Sequence, residues 1–245
     1  MKPLISIITV SYNSEQTIRD TIESVLNQTY DRIEYRIVDG ASSDQTVQIA
    51  ESYRERFAEK GISYQIISEP DQGIYDAMNK GIRLAAGELV GLINSDDWYE
   101  KDALESVAQF YEETGFDMMY GDVNIIRPSG SFVKRARLRS YITSRDWNHP
   151  TTFITRELYS RYQYRVHDLF DDFDLMLRIR KDGNHVKVLN KVLANFRFGG
   201  VSTEKSLSGT MEKIRLRYDV YRRNGLSRLY WFECAGMELA KLIIR

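Results

Sequence analysis

The sequence contains one cysteine, Cys234, and three histidines among 245 residues. A single cysteine excludes an intrachain disulfide and a cysteine-rich zinc site, and three histidines do not favour a zinc cluster. No apolar run reaches the roughly 18 residues of a membrane-spanning helix. The apolar segment Leu4–Val10 is short and is interrupted by Ser6 and Thr9, so it does not resemble a secretion signal. We therefore expect a soluble, cytoplasmic protein in a reducing compartment.

The sequence also has no excess of either charge. Its net charge is −1, so the whole molecule has no strong electrostatic attraction to nucleic acid or to a membrane, and we expect no nucleic-acid partner. From Lys205 to Tyr230, however, seven basic residues stand against two acidic ones and alternate with large apolar side chains. Two interpretations stay open for this segment: a peripheral contact with anionic lipid, or a pair of packing helices with a solvated charged face.

No internal repeat, low-complexity tract or Pro/Gly-rich linker divides the chain. We therefore expect one compact domain over residues 1–203, in two parts of about 1–100 and 101–203, followed by a basic C-terminal helical segment over 204–245.

Residues 1–100 alternate apolar, β-branched runs with amphipathic helical patterns. We predict strands at Leu4–Val10, Ile33–Val38, Ser63–Ile67 and 89–93. We predict helices at about Glu15–Asn27, capped by Asn13 or Ser14, at about 47–57, and at Ile74–Ala86 with Ile74, Met78, Ile82 and Ala85 facing inward. This alternation predicts an α/β fold with a parallel sheet wound by right-handed crossovers.

Residues 101–203 have a mixed pattern. We predict a helix at Trp98–Thr114, a hairpin that turns at Arg127–Ser131, a strand at Thr151–Thr155, a helix at Asp171–Arg180, a strand at Val186–Phe196, and a flexible stretch at Gly199–Ser202. This part is expected to be mixed α+β.

Polar side chains follow the predicted strands of the first part at the point where each strand ends. They are Ser11 to Asn13, Asp39, and the run Asn94, Ser95, Asp96 and Asp97. The carboxyl ends of parallel strands meet at one edge of a sheet, where ligands bind, so carboxylates there can hold a metal ion against phosphate groups. The alternative is that Asp96 and Asp97 cap a helix over Trp98–Thr114.

Five segments in order resemble the motifs of the family 2 glycosyltransferases. They read ISIITVSYNSEQTI, IVDGASSDQT, SEPDQGIYDAMNKGI, GLINSDDWY and FDDFDLMLRI, and the resemblance covers roughly residues 4–203. It implies a GT-A fold, with a Rossmann-like, mostly parallel sheet flanked by helices and a mixed α+β acceptor half. It also implies an inverting enzyme that transfers a sugar from a nucleotide-diphosphate donor, as in bacterial O-antigen, capsule or exopolysaccharide synthesis.

The same resemblance implies roles for individual residues. A nucleotide pocket would be lined or bordered by Val10, Ser11, Tyr12, Asn13, Asp39, Asp71, Lys80, Asn94, Ser95 and His149, with Asp39 accepting a hydrogen bond from the base. Asp96 would bind Mg or Mn, with Asp97 as the second candidate, and Asp172 would be the catalytic base. Asn94 stands where the family commonly has an aspartate, and Asp171 precedes Asp172 where the family commonly has Glu-Asp. The base is therefore open between these two residues.

The implied chemistry needs few protein groups. A divalent cation stabilises the departing diphosphate with one or two carboxylates, while a single general base removes the proton of an acceptor hydroxyl. The resemblance favours a UDP-sugar donor and a saccharide acceptor, with guanosine and thymidine donors left open. The membrane interpretation of the C-terminal segment, which lies outside the resemblance, implies peripheral membrane contact and a lipid-linked acceptor such as a polyprenyl-diphosphate-linked saccharide.

For several of these residues a purely structural role is the alternative. Asp39 before Gly40 fits turn chemistry, Asp171 and Asp172 fit the acidic start of a helix, Tyr12 fits core packing, and His149 fits a structural role.

Two other functions are consistent with such a sheet. A sugar-phosphate nucleotidyltransferase is disfavoured because SYNSEQT, after the first strand, lacks the glycines and basic residues of a triphosphate loop. A non-catalytic nucleotide-sugar-binding or scaffold protein is favoured by Asn94 and disfavoured by the acids at Asp96 and Asp172.

Overall fold

The computed structural model describes residues 2–199 and 207–243. In these residues one sheet of nine strands has the order β3-β2-β1-β4-β8-β6-β9-β5, and β7 pairs with β6. The strands are β1 (Ile5–Ser11), β2 (Ile33–Asp39), β3 (Ser63–Ser68), β4 (Leu89–Asn94), β5 (Trp98–Tyr99), β6 (Met118–Arg127), β7 (Gly130–Lys134), β8 (Phe153–Thr155) and β9 (Val186–Arg197).

Helices flank this sheet. They are α1 (Ile18–Leu26), α2 (Thr46–Glu51), α3 (Arg54–Glu59), α4 (Ile74–Leu84), α5 (Ala103–Thr114), α6 (Arg156–Arg161), α7 (Asp171–Lys181), α8 (Leu207–Arg223) and α9 (Tyr230–Ile243), with short 3₁₀ turns at Ser144–Asp146 and His149–Thr151. No helix in the described ranges is long and apolar enough to cross a membrane.

The first four strands are parallel and end together. Ser11 pairs with Asp39, and Asp39 with Ser68, while Val10 pairs with Asn94. Every residue of β1 is buried, as expected for a central strand with helices on both faces. The predicted parallel sheet is confirmed, and its register brings the polar strand ends to one edge.

The second part joins the sheet through β8, which pairs antiparallel with both β4 and β6. At this junction Gly91 of β4 lies opposite Phe153 of β8. A methyl group at position 91 would overlap the fully buried Phe153 ring. Glycine is therefore needed here for space rather than for backbone freedom.

Several local predictions were wrong. Helix α1 begins at Ile18, because residues 15–17 form a turn, and neither Asn13 nor Ser14 caps it. Ile74 is exposed because it opens α4 directly after Gly73, whereas Met78, Ile82 and Ala85 are buried as predicted. The single helix predicted at about 47–57 is divided into α2 and α3 by a turn at Ser52–Tyr53.

The predicted helix at Trp98–Thr114 is also shorter than expected. Trp98 and Tyr99 form β5 against β9, and α5 begins at Ala103 after Asp102. Asp96 and Asp97 therefore do not cap a helix, and the capping alternative is wrong.

The C-terminal segment forms two helices that pack together and against the domain. Tyr221 of α8 stacks on Tyr230 of α9 with ring centroids 4.1 Å apart, and Cys234 is buried beneath them. The predicted domain boundary after residue 203 and most of the predicted flexible stretch Gly199–Ser202 lie outside the described residues.

Candidate active site

The loops that follow β1 and β2 are bonded to each other. Gly40 N donates to Ser11 O at 2.9 Å, Ser43 N donates to Asn13 Oδ1 at 2.9 Å, and Ser14 N donates to Thr46 Oγ1 at 2.7 Å. Asn13 is held in the left-handed region at φ 47°, which asparagine tolerates better than most residues. The predicted capping residues Asn13 and Ser14 instead fix one loop against the other.

This arrangement leaves Tyr12 on the rim of the sheet with 67% of its surface exposed, so the core-packing alternative is wrong. The neighbouring Val10 side chain is buried in the core. A contact between Val10 and a ligand would therefore have to come from its backbone.

The carboxylate of Asp39 is 1% exposed and already has four hydrogen-bond donors. Oδ1 accepts from the hydroxyls of Ser11 at 3.0 Å and Ser42 at 2.5 Å. Oδ2 accepts from Ser42 N and from Ser68 Oγ, both at 2.8 Å. Because a carboxylate has about four acceptor positions, a ligand can bond to Asp39 only if one of these hydroxyls turns away.

Asp71 lies at the same rim as Tyr12 and Gly40. A Cβ built at Gly40 would be 2.6 Å from Asp71 Oδ2 and 3.4 Å from the Tyr12 ring. Asp71 Oδ1 also accepts from Gly73 N at 2.8 Å, which fixes the turn before α4. The side chain of Asp71 is thus held facing the loop after β2.

Lys80 reaches back from α4 to the same turn. Its Nζ donates to Pro70 O at 2.9 Å and lies 3.1 Å from Glu69 and 3.5 Å from Asp76. The hydrogen bond with Glu69 and the charges of both acids raise the pKa of Lys80. It is therefore cationic and held at the border of the predicted pocket.

The loop after β4 lies beside the loop after β1. Ser95 Oγ is 2.7 Å from Ser14 Oγ, and Asp97 N donates to Asn94 O at 3.2 Å. Asn94 Oδ1 is buried and accepts no hydrogen bond within the described part of the chain. Burial raises the pKa of Asp96, against the opposing charge of Arg197.

Asp97 has a different environment from Asp96. It is fully buried, and its Oδ1 accepts from Arg197 N at 3.0 Å. Burial, and then the adjacent charge of Asp96, raise the pKa of Asp97 well above its usual range. Asp97 therefore connects the end of β4 to β9, and Asp96 is the more accessible carboxylate of the two.

The donor set of this loop fits a sparse oxygen site for Mg or Mn. The carboxylate of Asp96 and the unbonded amide oxygen of Asn94 are hard oxygen donors, which these ions prefer. Across residues 2–199 and 207–243, no group of three or more His, Cys, Asp or Glu side chains could enclose a metal ion. A metal ion here would need most of its ligands from phosphate groups and water.

The two acids at the start of α7 are not equivalent. Asp171 is fully buried, and its Oδ2 accepts from His167 N at 2.6 Å and from Asp168 N at 3.2 Å. Its Oδ1 accepts from Arg223 at 3.2 Å. Both carboxylate oxygens of Asp171 thus accept hydrogen bonds within the protein. This agrees with the alternative that Asp171 is an acidic residue of a helix start.

Asp172 is half-buried, and its one hydrogen bond from the backbone is the short-range bond from Phe173 N to Oδ1 at 2.6 Å. Burial raises the pKa of Asp172, while His149, Tyr75 and Arg217 act in the opposite direction. A carboxylate with a raised pKa is a stronger base than an exposed one.

Aromatic side chains surround Asp172. His149 Nε2 is 3.2 Å from the Tyr164 hydroxyl, and Tyr164 stacks on Tyr75 at 5.4 Å between ring centroids. Burial lowers the pKa of His149, opposed by the charge of Asp172. Burial thus favours the neutral form of the His149 imidazole.

Four residues with roles at this site were not predicted from the sequence: Ser42, Ser68, Arg197 and Arg223. Ser42 and Ser68 bond Asp39, Arg197 bonds Asp97 through its backbone, and Arg223 bonds Asp171. Ser42 and Ser68 could have been noticed as hydroxyls at strand ends. The long-range contacts of the two arginines had no signal in the sequence.

Solved structures of similar fold identify the fold of this chain. The chain is similar to Staphylococcus aureus TarS residues 1–349 in complex with UDP-GlcNAc, at a TM-score of 0.70 and 20% identity over 98% of this chain and 72% of that chain. It is also similar to the mannosyltransferase PcManGT from Pyrobaculum calidifontis in complex with GDP-Man and Mn²⁺. The TM-score is 0.70, and the identity is 16% over 99% of this chain and 75% of that chain. The chain has the GT-A fold.

The sequence comparisons define the family. The model described as Glycosyl transferase family 2 matches residues 6–178, so the protein belongs to this glycosyltransferase family. It is 31% identical to Bacillus subtilis TuaG, named for teichuronic acid biosynthesis, over 95% of this chain and 92% of TuaG. It is 28% identical to Escherichia coli WfgD, a UDP-Glc:α-D-GlcNAc-diphosphoundecaprenol β-1,3-glucosyltransferase, over 93% of this chain and 90% of WfgD.

Proposed function

We propose that the protein is an inverting, metal-dependent glycosyltransferase of bacterial surface polysaccharide synthesis, with a UDP-sugar as donor. The observation that carries this proposal is the contrast at the start of α7. Burial raises the pKa of both acids, but both oxygens of Asp171 are bonded within the fold, whereas Asp172 keeps a half-buried carboxylate whose one backbone donor is Phe173 N. The similarity to TarS with UDP-GlcNAc supports a uridine donor. The similarity to WfgD supports a lipid-linked saccharide acceptor.

The edge of the sheet would bind the donor. Tyr12, Asp71 and Lys80 would border the nucleotide, and Asp39 would meet the base once the hydroxyl of Ser42 or Ser68 has turned away. Asp96, with Asn94, would hold Mg or Mn, which when bound neutralises the diphosphate leaving group. Within this scheme Asp97 positions the loop through Arg197 and does not need to bind the metal.

Asp172 would supply the base. Its carboxylate accepts the proton of the acceptor hydroxyl, the hydroxyl oxygen forms a bond to the anomeric carbon, and the bond from that carbon to the diphosphate oxygen breaks. The attack comes opposite the leaving group, so the anomeric centre inverts and one base is sufficient. Double-displacement chemistry with retention would instead need two carboxylates about 5 Å apart, and Asp171 is not available for this role.

A thermal-shift screen tests the donor site without knowledge of the acceptor. We expect UDP with Mn or Mg to raise the melting temperature more than GDP, TDP, CDP or ADP, because a ligand that binds the native state stabilises it. The substitution Asp96→Asn should remove the metal-dependent part of the shift. Asp31→Asn is the matched control, since Asp31 is a highly exposed surface carboxylate.

Absence of a shift with every nucleotide would contradict the proposed function and leave the fold assignment in place. A shift followed by no transfer to any acceptor would favour the non-catalytic alternative. A metal-independent shift of equal size in wild type and Asp96→Asn would remove Asp96 from the metal site.

We also propose peripheral membrane contact through the turn between α8 and α9. The exposed large apolar residues are Leu229 in this turn and Trp231 and Phe232 in the first turn of α9, next to Arg228. Aromatic and basic groups together favour the interface of an anionic bilayer. Arg217 and Arg223 do not take part, because both bond to acids inside the protein.

Liposome flotation tests this contact. We expect the protein to float with vesicles that contain anionic lipid and to lose this binding when Trp231 and Phe232 are both replaced by serine. Met211→Ser is the matched control, an exposed apolar residue of α8. Equal flotation with neutral and anionic vesicles, or no effect of the double substitution, would contradict the proposal.

A further inference from the structure

One guanidinium group near the end of α8 bonds to three acids at the start of α7. Arg223 Nε lies 2.9 Å from Asp174 Oδ1, its Nη1 lies 2.9 Å from Asp168 Oδ2, and its Nη2 lies 3.2 Å from Asp171 Oδ1. The carboxylates of Asp171 and Asp174 are fully buried, and Arg223 keeps 24% of its side-chain surface exposed. All three nitrogens of the planar guanidinium are used, a geometry that lysine cannot reproduce.

Asp171 transmits this contact to the backbone. While Oδ1 accepts from Arg223, Oδ2 accepts from the N–H groups of His167 and Asp168. The loop before α7 is therefore fixed to α8 through two carboxylates, directly through Asp168 and through the backbone bonds of Asp171. Asp172 is the next residue along the helix, so its orientation depends on how the first turn of α7 is held.

Arg217, six residues earlier on α8, makes a second connection to the same turn. Its guanidinium lies 4.3 Å from the ring of Phe170, the residue that precedes α7, and donates to Ser144 at 2.7 Å and Glu238 at 2.8 Å. Burial raises the pKa of Asp172, and the charge of Arg217 is one of the smaller effects that oppose this rise. Helix α8 thus contacts the start of α7 at two points, through Arg223 and through Arg217.

We propose that Arg223 is a positioning residue for the general base: through Asp171 it holds the first turn of α7 so that Asp172 faces the acceptor hydroxyl. This rests on the proposed function, since Asp172 is taken as the base. It also means that α8, which lies beyond the residues matched by the family model, is part of the catalytic unit.

The test compares Arg223→Lys with wild type in the full chain. Lysine keeps the charge but not the three-way contact, and a displaced base is expected to lower kcat roughly ten- to a hundredfold. The KM for the donor should stay unchanged, because the nucleotide pocket is built from the ends of β1 to β4. Arg215→Gln is the matched control, since Arg215 is on the same helix with its side chain 82% exposed.

A second readout does not need activity. Amide hydrogen exchange in residues 166–175 should become faster in Arg223→Lys and stay at the wild-type rate in Arg215→Gln. If Arg223→Lys does not fold, Asp168→Asn is the second variant, because it weakens one of the three contacts. It should also lower kcat and make amide exchange in residues 166–175 faster.

The outcomes separate this proposal from the proposed function. If kcat in Arg223→Lys equals that of Arg215→Gln, or exchange in residues 166–175 does not change, the positioning role is wrong. If the donor KM rises with kcat unchanged, Arg223 acts on binding and the role is also wrong. If wild type transfers no sugar, the proposed function fails, and the exchange rates alone decide whether Arg223 orders the start of α7.

Discussion

Asp172→Asn is expected to lower kcat by roughly 10²- to 10⁴-fold, the contribution of a general base, with nucleotide binding unchanged. Its melting temperature should equal or exceed that of wild type. Because burial raises the pKa of Asp172, the folded state binds its proton more tightly than the unfolded chain. Ionisation of Asp172 therefore lowers the free energy of unfolding as the pH rises above about 3.9, and asparagine removes that cost.

Asp171→Asn is the matched comparison one residue away. Burial raises the pKa of Asp171 as well, but its carboxylate also accepts from His167 N, Asp168 N and Arg223. Asparagine weakens these bonds, so we expect a net loss of about 2 kcal/mol in the free energy of unfolding. Urea unfolding and single-turnover rates with a saturating donor would measure both variants. The assignment would be wrong if Asp171→Asn lost most of the rate at normal stability while Asp172→Asn lost stability at a normal rate. Asp171 would then be the base.

The pH profile of wild type provides a check on the same assignment. The base must be ionised, so kcat should fall as the pH drops through the pKa of Asp172, which burial raises. The acidic limb should be missing from the residual activity of Asp172→Asn.

Gly91→Ala is expected to have the largest effect on stability. The added methyl group meets the ring of Phe153 where the parallel and antiparallel parts of the sheet join. Both strands are fully buried here, so relief by a small shift is not available. We expect a loss of about 3 kcal/mol in the free energy of unfolding, or roughly 6–12 °C in melting temperature.

Gly236→Ala is the matched control. Gly236 is inside α9, and nothing lies within 4 Å of a Cβ built there. Alanine should stabilise this helix by about 1 kcal/mol. Thermal unfolding of both variants distinguishes the two effects, and a Gly91→Ala protein as stable as wild type would show that β4 and β8 can separate without cost.

The rim of the sheet could be predicted because its signals are local. An apolar run followed by Asp39, or by Asn94 to Asp97, is visible within a few residues, and the parallel pairing of β1, β2 and β4 brings the ends together. What could not be predicted is which acids are already bonded. Asp171 and Asp172 look alike in sequence, and they differ because Arg223 reaches one of them from 52 residues away.

The same reason explains what could not be predicted in the basic segment and the wrong helix start after β4. Composition shows that Arg217 and Arg223 are cationic, but only packing turns them toward Glu238 and Asp174 rather than toward solvent. Trp98 and Tyr99 had helical neighbours in sequence and became a strand because Asn195 and Ala194 pair with them. A long-range pairing had overruled the local pattern.

The position of β9 and α8 in the fold has a consequence for how such enzymes can diverge. Strand β9 pairs with both β6 and β5, and Arg223 of α8 bonds the first turn of α7, yet both elements follow residue 178. A chimera that exchanges C-terminal halves between relatives at that residue would pair the base of one parent with the arginine of another. We therefore expect recombination that preserves turnover to keep residues 165–225 together as one inherited block.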